Sequence, residues 1–253
     1  MARLLRLAIA LDLWSAVAVA SLVAYAGSGL PGPTLALVSL LAAAGTVVIY
    51  NVDHVNDAPD DLDVARRRLI LGAGLVMLAC LVALPGWTTL ACVPPGLVGL
   101  GHARLKERAP ELKSWGVALA VALAASTLPA AAAGEVPYPP DGLLFAFLTV
   151  LVAVNTHALD LVDLDVDARA GTRTLAVARG EDEVKRLFTG LVIVAAILLV
   201  YVSPLGPAPE MPLSLLALGL LLRASGPGRD RDRWRLLLDG GLLAPLLLSV
   251  ALG

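Results

Sequence analysis

Two stretches of the sequence carry acid groups at spacings that could do chemistry. The first reads Tyr50-Asn51-Val52-Asp53-His54-Val55-Asn56-Asp57 and continues to Asp60, Asp61 and Asp63. The second reads Asn155-Thr156-His157-Ala158-Leu159-Asp160-Leu161-Val162-Asp163 and continues to Asp165 and Asp167. Asp53 and Asp57 are four apart, as are Asp163 and Asp167, and Asp160 precedes Asp163 by three. On a helix such residues share a face, with β-carbons about 5–6 Å apart, where like charges repel. Both clusters also end an apolar run, and the C-terminal end of a helix disfavours an anion. A compensating cation is therefore expected. Hard oxygen donors without cysteine and with little histidine favour Mg²⁺ over zinc or copper.

Arg66 to Arg68 follow the first cluster, and Arg169 and Arg173 accompany the second. Carboxylates beside guanidinium groups suit Mg²⁺ bound to a phosphate or diphosphate better than a bare cation. Blander readings stand beside this one. Single acids such as Asp61, Asp63 and Asp165 also read as solvated loop residues, and the arginines as anchors at a membrane edge.

The elements that must position these groups are membrane helices. Of 253 residues, 58% are hydrophobic and only 16% charged, against about 25% charged in a soluble domain. With a net charge of −2 the chain has no basic excess for nucleic acid, so no nucleic-acid partner is expected. Cys80 and Cys92 fall in apolar runs and read as small buried hydrophobes. Apolar runs lie near 5–27, 34–57, 68–84, 86–103, 115–133, 141–163, 184–203, 211–225 and 235–252. The first resembles a signal peptide, with Arg3 and Arg6 ahead of it and Ala24-Tyr25-Ala26 near its end. It is long, contains Asp12 and precedes further spans, so it reads as the first transmembrane helix.

Charge then sets the orientation. All 19 Lys and Arg fall in five groups, at Arg3–Arg6, Arg66–Arg68, Arg104–Lys113, Arg169–Arg186 and Arg223–Arg235. The gaps near 28–33, 85, 134–140 and 204–212 contain none. Nine spans put all five groups on one side; eight or ten do not. The N-terminus and the charged loops are then cytoplasmic and the C-terminus lies outside. The expected fold is all-α, a polytopic bundle of nine transmembrane helices around a central cavity, forming a single domain over 1–253. Asp53 to Asp163 and Asp57 to Asp167 are both 110 residues apart, consistent with two pseudo-repeats.

The segment Asp160-x2-Asp163-x3-Asp167-x3-Gly171-x-Arg173-Thr174-Leu175 resembles the second aspartate motif of the UbiA superfamily of intramembrane prenyltransferases. The family's first motif is Asn-Asp-x2-Asp-x3-Asp. Asp53 and Asp57 match its last two aspartates, while Ile49 and Tyr50 occupy its Asn-Asp positions. The family also carries Tyr-x3-Lys in the loop after the fourth span, where this chain has His102-x3-Lys106 and then Pro110-x2-Lys113. The resemblance extends over nearly the whole chain.

That resemblance implies transfer of a prenyl group from a polyprenyl diphosphate to an acceptor, often aromatic and here a candidate lipid-quinone precursor, in the cytoplasmic membrane. Asp53, Asp57, Asp160, Asp163 and Asp167 would hold Mg²⁺ on the diphosphate. Lys106 would act in catalysis beside the aspartates. Arg68, Lys113, Arg173, His102, Asn51 and Tyr50 would complete the diphosphate site. An apolar interior would shield the carbocation from water and accept the isoprenoid directly from membrane lipid. Other polar residues carry weaker expectations. Asn51 and Asn155 read as partners of the motifs or as interhelical hydrogen bonders, Asp12 as a cavity or interface group, and Asp239 as an i,i+4 partner of Arg235. Trp14, Tyr50, Phe145 and Phe147 are candidates for packing or cation stabilisation. His54 and His157 read as solvated or hydrogen-bonded rather than metal-ligating. The rival readings are a cyclase or phosphohydrolase of the same superfamily, a divalent-cation transporter, and an inactive relative that binds lipid or a partner.

Overall fold

The computed structural model describes residues 2–57, 61–135, 141–202 and 208–252. Among them there are helices and no strands. The chain opens with α1 (Ala2–Ala10) and α2 (Leu13–Ala26), followed by α3 (Gly32–Asp57), α4 (Asp63–Ala83) and α5 (Gly86–Arg108). A short 3-10 turn leads into α6 (Lys113–Ala132) and then α7 (Gly142–Val162). Two short helices, α8 (Leu164–Ala170) and α9 (Leu175–Arg179), precede α10 (Glu181–Val202) and α11 (Glu210–Ala224). The described chain ends with α12 (Arg231–Gly241) and α13 (Ala244–Leu252).

The apolar runs all form helix, but two of them do so in halves. α1 and α2 meet at 72°, and α12 and α13 at 46°. The first break falls on Asp12, whose φ of 56° is left-handed and therefore cannot continue a right-handed helix. Among the described residues four helices (α3, α6, α7 and α10) are long and apolar enough to cross a membrane, and six units qualify if each bent pair is one span. α11 has 15 residues, about 22 Å of helix against a hydrocarbon core of about 30 Å. α4 opens with Asp63 and Arg66 to Arg68, and α5 is interrupted by Pro94 and Pro95. Length and composition thus mark four to six spans, short of the nine the charge pattern asks for.

Short connections make sequential helices antiparallel neighbours, and α6 and α7 form the most enclosed part of the bundle. Phe147, Leu148, Leu151, Ala118, Ala122 and Ala125 are buried between them and their neighbours. Outward faces stay apolar: Leu71, Leu75, Leu78 and Val82 on α4 and Ile193, Ile197 and Tyr201 on α10 are exposed. Apolar patches of that size suit lipid rather than water. Local signals fix the ends near the acid motifs. Asp141 caps α7 by accepting from the Leu144 amide at 2.8 Å. Gly171, with φ 74°, ends α8, and Thr174 caps α9. A left-handed residue at that point needs glycine to avoid a clash with its own Cβ.

Candidate active site

α3 and α7 run in parallel, each antiparallel to α6, so their C-terminal ends meet the first turn of α6. On one face of that turn, Ser114 donates a 2.6 Å hydrogen bond to Asp160 Oδ2. On another, Gly116 and Val117 line an apolar cavity together with Asp53 and Tyr50 of α3. The two acid motifs therefore flank one helix end. Lys113, the first residue of α6, lies close enough to act electrostatically on both Asp160 and Asp167.

The second motif is held by side chains of α6, α7 and α12. Asp160 is buried, and His157 Nδ1 lies 3.5 Å from the same Oδ2 that Ser114 addresses. His157 is itself fully buried, its ring tilted against that of Phe188 with the centroids 4.1 Å apart. Asp163 is gripped by Arg231 of α12, with Nε on Oδ1 at 2.6 Å and Nη2 on Oδ2 at 2.9 Å. Asp167 follows one turn later on α8. Burial, reinforced by the charges of Asp160 and Asp163, pushes its carboxyl up to about 6, against the opposing pull of Lys113 and Arg231. Negative charge is thus crowded at this end in the way the spacing predicted.

The first motif is arranged differently from its reading in one dimension. Asp53 lines the cavity mouth. The side chains of Asp57, His102 and Lys106 lie outside the described residues. Asn51 is buried and turned away from the cavity: its amide donates to the carbonyls of Leu11 at 3.1 Å and Val47 at 2.9 Å, and its oxygen accepts from Arg66 at 3.4 Å. Of the three consecutive arginines, Arg66 points inward, whereas Arg68 borders a separate apolar crevice between α2, α3 and α4. Arg173 is exposed and pairs with Glu111 at 3.6 Å rather than with an aspartate of its own motif.

Behind the acid arms lies a second buried polar group that joins the two bent pairs. Asp12 is fully buried and meets Arg235 at 3.2 Å, His54 at 3.1 Å and Arg66 at 3.9 Å. Asp239 does not pair with Arg235, as the i,i+4 spacing predicted. It accepts instead from Ser15 at 2.7 Å and from Asn155 at 3.1 Å. Both partners of the expected pair found closer companions on other helices. Trp14 donates to the Leu236 carbonyl at 3.1 Å, and Phe147 packs edge-on against Tyr25.

The cavity itself has about 870 Å³ of empty space, counting its open mouth. Hydrocarbon groups line it from α2, α3, α4, α5 and α6, with Asp53, Tyr50 and Thr46 as its polar exceptions. An apolar chamber with one carboxylate, Asp53, at its rim suits a ligand with an anionic head and a hydrocarbon tail, provided a cation joins the head to the carboxylate. Among the described residues no three acid, histidine or cysteine groups already converge as a metal cage.

A sequence profile of the UbiA prenyltransferase family matches residues 13–238. The chain belongs to that family. No curated protein matches it closely enough to add a relative. Among solved structures, the apo form of a UbiA homologue from Aeropyrum pernix K1 superposes with a TM-score of 0.70 at 14% identity, covering 94% of this chain and 98% of the other. A UbiA homologue from Archaeoglobus fulgidus gives 0.68 at 15% identity, over 94% and 96%. The same organism's homologue bound to GPP and Mg²⁺ gives 0.61 at 14% identity, over 98% of each chain. At such identities these likenesses establish a shared UbiA fold. Ser114 and Arg231 were not singled out from sequence. Both act over long separations, and the only local hint for Arg231 is its charged run ahead of the last apolar stretch.

Proposed function

We propose that this UbiA-family chain catalyses Mg²⁺-dependent transfer of a prenyl group from a polyprenyl diphosphate to an aromatic or lipid-quinone precursor acceptor within the membrane. The observation that carries the reading is that the first turn of α6 meets both acid arms, with Ser114 bonded to Asp160 and Gly116 and Val117 lining the apolar cavity beside Asp53. The donor set fits a hard divalent cation, because all of it is carboxylate. The Archaeoglobus fulgidus homologues were solved with GPP or DMAPP and Mg²⁺, which supports the same ligand class here.

Asp53 and Asp57 on one arm, and Asp160, Asp163 and Asp167 on the other, would hold Mg²⁺. When bound, Mg²⁺ neutralises the diphosphate and makes it a better leaving group. Lys113, Lys106 and Arg231 supply fixed positive charge where negative charge grows as the allylic carbon–oxygen bond breaks and its electron pair leaves with the diphosphate. The apolar walls keep water from the allylic cation until the acceptor's electron pair closes the new bond; the acceptor then loses a proton, which the released diphosphate takes up. Asn51, Arg68 and Arg173 take no part in this scheme, because their side chains are engaged elsewhere or face outward. The bundle would cross the bilayer nine times, with the N-terminus and acid loops in the cytoplasm, and would draw the donor from surrounding lipid.

The test is diphosphate release by detergent-purified protein offered geranyl, farnesyl and geranylgeranyl diphosphates, with Mg²⁺ or chelator and with a generic phenol as acceptor. Release should require Mg²⁺ and vanish in Asp53→Ala and Asp163→Ala, and product mass should show the prenylated acceptor. Absence of release with every donor, together with no Mg²⁺-dependent donor binding, would sink the proposal. A cyclised or hydrolysed product in place of an adduct would move the chain to the corresponding branch of the family.

A further inference from the structure

At the acid-motif end of the bundle several arginines meet a carboxylate. Arg231 holds Asp163, Arg173 meets Glu111, Arg179 pairs with Glu183, and Arg66 and Arg235 share Asp12. Arg186 on α10 and Arg223 on α11 are different. Both are exposed and, among the described residues, neither has an ion-pair partner. They converge all the same, lining one recess with Lys185 and Asp182. A second recess shares Lys185 and Arg223 and continues along the loop from Ala224 to Arg229, with Glu181 on its rim. Glu181 takes the Lys185 ammonium at 2.6 Å, and Arg229 leans over the Trp234 ring at 5.8 Å. Across the two recesses four cations face two carboxylates, so positive charge is left over beside Arg186 and Arg223.

Below the arginines both helices turn hydrocarbon outward. On α10, Gly190, Ile193 and Ile197 follow Arg186 at the four-, seven- and eleven-residue spacing of one helix face, and all three are exposed. On α11, Leu220 and Leu216 precede Arg223 by three and seven residues and are exposed as well. The helices pack closely, since a Cβ on Gly219 would lie 3.0 Å from Val192. Two apolar stripes thus run side by side from a cationic recess. We infer that Arg186 and Arg223 bind the phosphate of an anionic phospholipid whose acyl chains lie along the α10–α11 seam. Guanidinium groups match phosphate oxygens two at a time, and basic recesses between membrane helices select anionic headgroups. Charge placed only to orient the chain would need neither convergence from two helices nor a seam beneath it. The inference rests on the membrane reading and is independent of prenyl transfer.

The experiment titrates the full-length protein, delipidated in a neutral detergent, with phosphatidylglycerol, phosphatidylcholine and glycerophosphoglycerol, the last being the headgroup without acyl chains. Native mass spectrometry counts the molecules bound. The wild type should hold phosphatidylglycerol about tenfold or more tighter than either of the others. A basic side chain facing anionic lipid contributes about fivefold in affinity. Arg186→Gln and Arg223→Gln should therefore each weaken phosphatidylglycerol by about fivefold and together by about twentyfold, with phosphatidylcholine unchanged. Arg67→Gln combined with Arg108→Gln removes the same charge from exposed positions on α4 and α5 and should change the affinity by less than about twofold. Thermal unfolding verifies the fold of each variant, and if one single variant unfolds the other decides. Equal affinity for the two lipids, or equal losses in the two double variants, would overturn the site. Glycerophosphoglycerol bound as tightly as the lipid would make the recess a free-anion site and overturn the lipid assignment.

Discussion

Ser114→Ala is the sharpest probe of the acid site. Ser114 and Asp160 are both buried, and their 2.6 Å hydrogen bond is in the short range typical of a hydroxyl on a carboxylate. Removing the hydroxyl leaves Oδ2, among the described residues, with His157 Nδ1 at 3.5 Å, too long for a good hydrogen bond. A bond to a charged group contributes about 1.5–3 kcal/mol. Part of that is lost as stability and part as orientation of the carboxylate toward its cation. Outer-shell partners of this kind typically alter metal affinity by about 10–100-fold when removed. The Mg²⁺ concentration for half-maximal diphosphate release should therefore rise by about 10–100-fold in Ser114→Ala. Ser114→Thr keeps the hydroxyl and should stay within about threefold of wild type on the same scale. Diphosphate release titrated with Mg²⁺ at saturating donor reads both. A wild-type Mg²⁺ requirement in Ser114→Ala would refute the reasoning. So would equal damage in the two variants, since only packing would then be at issue.

Asp167 gives a pH signature: with its carboxyl near 6, it is mostly ionised at pH 7 and mostly protonated at pH 5, so the Mg²⁺ requirement should climb as pH falls through 6, and Asp167→Asn should flatten that dependence in the same titration. The sign for stability is opposite, because the native carboxyl holds its proton more tightly than the unfolded one. This residue's contribution should decline as pH rises from about 4 to 6, which unfolding in the absence of Mg²⁺ would register. Asp12→Asn leaves the charges of Arg235 and Arg66 without their buried carboxylate. It should destabilise the protein by about 3–5 kcal/mol, the scale for breaking a buried pair, and lower its melting temperature in detergent. Asparagine tolerates the left-handed backbone at that position, so an unchanged melting temperature would mean that the ion cluster does not hold the fold together.

Much of the architecture was legible because it rests on local patterns. Each apolar run became helix, and the acid spacings fell at helix ends, as three- and four-residue periodicity requires. Asn51 could have been read better: two residues before Asp53 it lies about 200° around the helix and so faces the other way. Arg231 and Ser114 could not, since nothing in periodicity links residue 231 to 163 or 114 to 160. The Arg235–Asp239 spacing was correct as a local rule and lost to tertiary partners, Asp12 for one residue and Ser15 and Asn155 for the other. The bend at Asp12 was equally hidden, because a single left-handed residue leaves the hydrophobic pattern intact.

The clasp between Asp12 and Arg235 has a consequence for how the chain is made. The two residues are 223 positions apart, so the ribosome delivers an anion in the first helix long before the cation that finally covers it. A carboxylate left alone in hydrocarbon is costly. The nascent first helix must therefore keep Asp12 at water, or tilt to keep it there, until α4 brings Arg66 and the last helices bring Arg235. Insertion of α12 would then lock the earlier helix in place at Asp12.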